Sequence, residues 1–99
     1  MSIKATITKV RPNKDVEFFK LTDAQLTHIS DVYEKTGKMT TNRTISTDGL
    51  TQTVVRSFAN NDDWAAFRAD PIVAAGRNSM FGFNQASGHV AKYVIVQVG

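Results

Sequence analysis

The sequence predicts one small α+β domain whose elements follow the order strand, helix, strand, strand, helix, strand. Three observations predict it: apolar and polar residues alternate near the N-terminus, a turn signal at Asp48-Gly49 separates two β-rich runs, and two helix starts precede apolar residues at helical spacing. The 99 residues suffice for a single domain over 1–99 with a modest core. Because a second subunit would bury more apolar surface, we expect a homodimer.

The first predicted strand covers residues 3–10. Its apolar positions have the period of two that is typical of a strand with one buried face, and they are Ile3, Ala5 and Ile7. Residues 11–15 are rich in turn formers. Residues 16–21 suit either a short strand or the beginning of a helix, and we favour an extra short strand because Thr22 is a better helix start.

The first predicted helix covers residues 23–36. Thr22 and Gln25 have the spacing of a capping box, in which each side chain accepts a hydrogen bond from the other residue's backbone amide. Gly37 can adopt the left-handed conformation that ends a helix. The apolar residues that recur at helical spacing are Leu26, Ile29, Val32 and Tyr33.

Residues 40–46 and 50–58 are rich in β-formers and are predicted to form a hairpin around Asp48-Gly49. A two-residue turn there pairs Met39 with Phe58, Arg43 with Val54 and Ile45 with Gln52. This register places Arg43 and Arg56 on the same face as Met39 and Phe58.

Two helices are predicted in the second half. Asn60 can cap the first of them, whose inner side carries Trp64 and Phe67. Asp70-Pro71 ends that helix and can start another, with Asp70 as N-cap and Pro71 at the first helical position. Three glycines then weaken helicity, and we expect an irregular stretch where they fall, at Gly76, Gly82 and Gly88.

The last predicted strand covers residues 90–98. Residues 93–96 are apolar on both faces of the strand, which is typical of a central strand that is covered twice. We expect helices to cover one face of this strand and a second copy of the molecule to cover the other.

Composition excludes several kinds of site. The absence of cysteine rules out disulfides, thiolate nucleophiles and sulfur-ligated metals, and two separated histidines do not make a zinc site. We therefore expect neither a metal nor a cofactor. No segment approaches the ~20 apolar residues that span a bilayer, and the N-terminus lacks a signal-peptide pattern, so a cytoplasmic protein without a membrane partner is expected.

The net charge is +3, and the whole positive excess lies in residues 1–20. Its lysines, such as Lys4 and Lys9, suit an exposed edge strand that resists aggregation. They also allow weak nucleic-acid binding as a third functional hypothesis. The aromatic motif of RNA-recognition sheets is missing, so a nucleic-acid partner is not favoured.

Residues 54–58, followed by residues 60–71, carry a family resemblance. This strand, with its aromatic-bearing helix and Asp-Pro pair, resembles dimeric α/β-barrel proteins related to antibiotic-biosynthesis-type monooxygenases, most closely over residues 50–75. The resemblance implies a ferredoxin-like βαββαβ fold with helices on one face and two sheets facing each other in a dimer. Members of that superfamily oxidise aromatic substrates without a cofactor or bind haem, using an Asn and a Trp that correspond here to Asn42 and Trp64.

Three functional hypotheses follow. The first is a non-enzymatic dimeric protein that uses its sheet face for assembly, because no reaction-centre motif is present. The second is a cofactor-independent monooxygenase or a binding protein for a small aromatic ligand, and its candidate residues are Asn42, Trp64, His28 and Tyr93. The third is the nucleic-acid binding described above. An enclosed cavity with Asn42 or His28 pointing inward would favour the second, whereas an interior filled by Met39, Phe58 and Ile95 would count against it.

Overall fold

An antiparallel sheet of four strands carries the helices on one of its faces, as the sequence predicts. The computed structural model describes residues 2–98. Its elements are β1 (Ser2–Val10), α1 (Asp23–Ile29) continued by a π-helical segment (Ser30–Glu34), β2 (Met39–Ile45), β3 (Thr51–Phe58), α2 (Asn61–Ala69), α3 (Pro71–Ala86) and β4 (Val90–Val98). The strand order is β2-β3-β1-β4, with every neighbouring pair antiparallel. This is the ferredoxin-like α+β arrangement.

The core lies between the sheet and the helices. Ile3, Phe58 and Met39 are aligned across β1, β3 and β2, and they are the largest fully buried side chains. From α2, the rings of Trp64 and Phe67 each lie 5.2 Å from the Phe58 ring, centroid to centroid. Such tilted aromatic contacts add to the apolar burial that holds α2 on the sheet.

The hairpin has the predicted register, from Met39 opposite Phe58 to Ile45 opposite Gln52. Its connection is wider than a two-residue turn, because the last bond of the ladder joins Ser46 N to Thr51 O. A primed turn would require Asp48 to have a positive φ, but among the described residues only glycines do, and Gly49 has φ +74°. The Asp48 carboxylate instead accepts hydrogen bonds from the Ser46 hydroxyl and the Leu50 amide.

The helices confirm most of the predicted starts. Thr22 and Gln25 form the capping box of α1, Asn60 caps α2, and Asp70 caps α3 with Pro71 in its first turn. The predicted helix 23–36 is right in position, but after Ile29 it widens into the π-helical segment.

The irregular stretch expected after Gly76 is wrong, because α3 continues to Ala86. A Cβ on Gly76 would lie 2.7 Å from Leu21 Cδ2, so this glycine allows the residues before α1 to approach α3 closely. Packing of this kind outweighs the low helix propensity of glycine.

The extra strand predicted near 16–21 is also wrong, because these residues pair with no strand. Residues 16–22, here called the strap, cross the helix side of the sheet in an irregular conformation. Arg11 anchors them: its Nε donates to Gly49 O at 2.7 Å, its Nη1 donates to Val16 O at 3.1 Å, and its guanidinium lies 4.5 Å from the Phe18 ring centroid.

The predicted positions of the first and last strands in the sheet are exchanged in the structure. The strand expected at the centre, β4, is an edge strand beside β1, and β1 is central. In the single chain, side chains on both faces of β4 are exposed, from 40% at Val94 to 70% at Val90. A central position in the sheet therefore does not explain why residues 93–96 are apolar.

Candidate functional site

A cavity of about 570 Å³ lies between the helix-facing side of the sheet, the helices and the strap. Because side chains alternate along each strand, one set of residues from all four strands forms its floor. The floor residues that matter here are Ile7, Lys9, Arg43, Val54, Arg56 and Tyr93. The cavity lies beside the packed core of Met39 and Phe58, so these two side chains do not fill it.

Lys9 is the most unusual residue of the floor. It follows Ile3, Ala5 and Ile7 in the alternating series, which places it on the buried face, and it is only 4% exposed. No described carboxylate forms an ion pair with its ammonium group. Burial, together with the neighbouring charges of Arg43 and Arg56, lowers the pKa of Lys9 to about 8. The edge-strand role predicted for this lysine is wrong, whereas Lys4 on the other face is exposed.

Arg56 is a second cation of the floor, and not all of its hydrogen-bond donors have a partner among the described residues. Its guanidinium lies 5.1 Å from the Phe67 ring centroid, and its Nε is buried with no hydrogen-bond partner among the described residues. Burial, assisted by the charge of Arg43, lowers the pKa of Arg56 from its ordinary value. The neighbouring Thr41, opposite Arg56 in the ladder, also has a buried hydroxyl without a partner. Buried polar groups normally find partners, and these two neighbouring atoms of the sheet have none among the described residues.

Aromatic side chains form much of the opposite wall. Trp64 and Phe67 come from α2, and Phe18 and Phe19 come from the strap. Trp64 is the only tryptophan of the chain and is 6% exposed. The cavity therefore combines a cationic floor with an aromatic wall, which suits a molecule that has one charged end and one apolar end.

The structure brings together two of the four predicted site residues. Trp64 and Tyr93 both line the cavity. Asn42 is exposed on the opposite face of the sheet, where it pairs with Val55 in the ladder. Side chains alternate between the two faces of β2, so Arg43 faces the cavity and its neighbour Asn42 faces away from it. The prediction that Asn42 lines the cavity is therefore wrong.

His28 also lies outside the cavity, where its side chain is partly buried beside Asp70. Its Nε2 lies 2.6 Å from Asp70 Oδ2, and the same oxygen accepts a 2.7 Å hydrogen bond from the Tyr33 hydroxyl. Partial burial raises the pKa of Asp70, but hydrogen bonds from His28, Tyr33 and the Ile72 amide outweigh it and hold that pKa at about 2. Burial and the bond to Asp70 raise the pKa of Tyr33 to about 12. This network connects helices and has no access to the cavity floor.

Sequence reasoning missed Lys9, Arg56 and the strap as parts of the site. The alternation that buries Ile3 and Ile7 also buries Lys9, and that signal is present in the sequence. The hairpin register correctly placed Arg43 and Arg56 on the face of Met39 and Phe58. What the sequence did not show is that the aromatic residues Phe18 and Phe19 cross over that face.

The part of the chain that the structure describes contains no cluster of three or more histidine, cysteine or acidic residues that could hold a metal ion. None of its helices is long and apolar enough to cross a membrane.

Fold and cavity together define a small ferredoxin-like α+β protein with a cationic, aromatic-lined cavity. Its fold is similar to that of Rv0793 from Mycobacterium tuberculosis, with a TM-score of 0.58 and 12% sequence identity over 98% of this chain and 95% of that chain. It is also similar to a dimeric ferredoxin-like protein from an uncultured marine organism, with a TM-score of 0.50 and 12% identity over 99% of this chain and 97% of that chain. Likeness at this identity shows the fold alone. No protein-family model and no curated protein matches the sequence, and the finer resemblance to antibiotic-biosynthesis-type monooxygenases is not confirmed.

Proposed function

We propose that this protein binds a small anionic molecule with an aromatic or otherwise apolar body in the cavity between its sheet and its helices. The observation that carries this proposal is Lys9, a lysine with 4% exposure and no described carboxylate partner. A buried charge without a partner is costly, and proteins retain one mainly where a ligand or a reaction uses it.

The charge of the whole lining supports the same conclusion. Six basic residues line the cavity against two acidic ones, Glu17 and Asp23. The basic set consists of Lys9, Arg11, Lys20, Arg43, Arg56 and Arg77. An anion placed among them would reduce the mutual repulsion of these cations and would accept hydrogen bonds from them.

The aromatic wall favours a ligand with a ring or another flat apolar body. Trp64 and Phe67 offer ring surfaces opposite the cationic floor, and the strap adds Phe18. This agrees with the second sequence-based hypothesis as far as a small aromatic ligand is concerned. The enclosed position of Lys9 favours a small ligand over a nucleic-acid backbone, which would need its phosphate contacts on an open surface.

Two fluorescent probes test the proposal with the protein as it stands. 1-Anilinonaphthalene-8-sulfonate carries an aromatic body and a sulfonate, and N-phenyl-1-naphthylamine has the same body without the charge. We expect the sulfonate to bind more tightly and to quench the emission of Trp64, the only tryptophan. Replacing Lys9 by Met should weaken binding of the sulfonate about tenfold or more and leave the neutral probe nearly unchanged.

The matched control is Lys35→Met, because Lys35 is an exposed lysine after the π-helical segment and lies away from the cavity. It should leave the affinity for both probes unchanged. Equal affinity for the two probes, together with no effect of Lys9→Met on either, would overturn the proposal.

We also infer that two copies of the chain assemble through the open face of the sheet, opposite the helices. This face includes Val94, Val96 and Val98 of the edge strand β4, which are 40%, 48% and 45% exposed. Toward the sheet centre it continues with Thr6 and Val55, and the marine protein of similar fold is described as dimeric. Such an exposed apolar strand is typical of a surface that a partner covers. Native mass spectrometry at low protein concentration tests the assembly.

A further inference from the structure

Lys9 has the surroundings of an amine that reacts with carbonyl compounds. It is buried on a central strand, it lines the cavity, and it shares the floor with Arg43 and Arg56. A lysine that is shielded from water and placed beside other cations retains more of its neutral form than a solvated lysine. Only the neutral amine has the free electron pair that attacks a carbonyl carbon.

The other charged groups that line the cavity come from the sheet, the residue after β1, the strap, α1 and α3. The basic ones are Arg43 and Arg56 from the sheet, Arg11 after β1, Lys20 in the strap and Arg77 on α3. The acidic ones are Glu17 and Asp23. His89 lies beyond the lining; burial and the charges of Lys9 and Arg11 lower its pKa, which favours the neutral ring. The net field at Lys9 is therefore positive, and it favours both a neutral amine and an anionic substrate.

We propose, on the basis of the function proposed above, that Lys9 forms a reversible imine with the ketone carbon of a 2-oxo acid that carries an aromatic side chain. A guanidinium group binds a carboxylate through two parallel hydrogen bonds, and the guanidinium groups of Arg43 and Arg56 both line the floor that Lys9 shares. The aromatic ring packs against Trp64 and Phe67. Since the ketone of a 2-oxo acid is adjacent to its carboxylate, a carboxylate held among the floor cations brings the ketone close to Lys9.

The condensation needs no oxidant, reductant or metal. The neutral Nζ of Lys9 attacks the ketone carbon, a C–N bond forms, and the carbonyl electron pair moves to oxygen. That oxygen takes up the proton that nitrogen releases, which gives a carbinolamine. Loss of the hydroxyl group with a second proton as water breaks the C–O bond and leaves a C=N bond, and addition of water reverses each step.

Reductive trapping tests this inference. The whole protein is incubated with phenylpyruvate and cyanoborohydride near neutral pH, and the modified lysines are located by mass spectrometry of a digest. We expect one reduced adduct at Lys9, formed at least about tenfold faster than at Lys35, whose side chain is 72% exposed and lies away from both the cavity and the open sheet face. The initial rate should rise as the pH approaches about 8 from below, since protonated Lys9 cannot attack the ketone.

Two variants support the assignment. Lys9→Arg keeps the positive charge but removes the amine, so the adduct should disappear, whereas Lys35→Arg should leave the labelling of Lys9 unchanged. The comparison of Lys9 with Lys35 within the unmodified protein does not depend on the folding of either variant. Equal labelling of the two lysines would overturn the inference.

Phenyllactate separates this inference from the proposed function, because it has a hydroxyl group where phenylpyruvate has the ketone. If phenyllactate quenches Trp64 while Lys9 is labelled no faster than Lys35, the imine is wrong and anion binding stands. If neither phenyllactate nor the sulfonate probe binds, both proposals fail.

Discussion

The Tyr33 hydroxyl donates a 2.7 Å hydrogen bond to Asp70 Oδ2 across 37 residues of sequence. The same oxygen lies 2.6 Å from His28 Nε2, and the other carboxylate oxygen accepts from the Ile72 amide at 2.9 Å as the cap of α3. One carboxylate therefore joins the first helical region to the junction of α2 and α3. This junction lies outside the cavity, at the end of the helix whose Trp64 and Phe67 line it.

Replacing Asp70 by Asn should lower the free energy of unfolding by about 1–3 kcal/mol, because hydrogen bonds to a charged acceptor are lost. Asn caps helices about as well as Asp, so the capping bond to Ile72 is retained and the loss reports the bonds to His28 and Tyr33. Urea denaturation measures the change. The control is Asp62→Asn in the exposed first turn of α2, for which we expect a change within about 0.5 kcal/mol.

The stabilisation from Asp70 should also depend on pH. Its pKa is about 2 in the folded protein, against an ordinary value of 3.8. A carboxyl whose pKa is lowered by folding stabilises the folded state fully above its unfolded pKa, and this contribution is lost as the pH falls through the folded value. The difference in unfolding free energy between the unmodified protein and Asp70→Asn should therefore shrink between about pH 4 and pH 2. A difference that stays constant over this range would contradict the assignment.

The unpaired Lys9 should make the protein without ligand less stable than it could be. We expect Lys9→Met to raise the free energy of unfolding by about 1–2 kcal/mol, because an apolar side chain of similar length replaces a buried charge. For a domain of this size, each kcal/mol corresponds to about 4–8 °C in Tm. Lys35→Met removes only an exposed ion pair with Asp31 and should leave Tm nearly unchanged, and a lower Tm for Lys9→Met would show that the ammonium has a partner.

The alkaline pH dependence follows from the same residue. Folding lowers the pKa of Lys9 from 10.5 to about 8, so between these values the unfolded chain binds more protons than the folded one. The free energy of unfolding of the unmodified protein should rise above about pH 8, and Lys9→Met should lack this rise. Above pH 10 the raised pKa of Tyr33, about 12, acts in the opposite direction, so the useful range is pH 8 to 10.

Gly76 and Gly82 of α3 allow a matched comparison, because only Gly76 lies against the strap. Gly82→Ala should stabilise the protein by about 0.5–1 kcal/mol, because a Cβ there meets no atom within 4 Å and alanine favours the helix. At Gly76 a Cβ would meet Leu21 Cδ2 at 2.7 Å, so Gly76→Ala should lose this gain or become destabilising. Thermal unfolding of both variants checks the pair, and an equal gain at the two sites would mean that the strap does not press on α3.

Patterns among neighbouring residues predicted the helices and strands well. The candidate site, in contrast, depends on contacts between residues that lie far apart in sequence. The capping box at Thr22, the cap at Asp70 and the hairpin register depend on neighbouring residues, and the structure has all of them. α3 continues past Gly76, where Leu21, which lies far away in sequence, packs closely against the helix. The apolar residues of the strap recur with neither helical nor strand spacing, so the path of the strap over the cavity could not be predicted.

The distinction between local sequence patterns and long-range packing also applies to the candidate site residues. Trp64 was placed correctly because an aromatic residue on the inner side of a helix faces the sheet, and Tyr93 faces the same space. Asn42 was chosen from a family resemblance that does not fix which face of the strand it occupies. Lys9 was misjudged because a lysine favours solvent on average, although its position in the alternation buries it.

Disruption of the open sheet face should separate the proposed dimer. Val94 and Ile95 are adjacent on β4 with similar exposure, 40% and 44%, but they lie on opposite faces of the strand. We expect Val94→Lys to convert the dimer to a monomer, because a charge would be buried between the two sheets, whereas Ile95→Lys on the helix side should leave the dimer intact. Light scattering after size-exclusion chromatography measures the molar mass, and circular dichroism confirms that both variants are folded. Dimers that persist in Val94→Lys, or an unmodified protein that is monomeric at every concentration tested, would exclude assembly through this face.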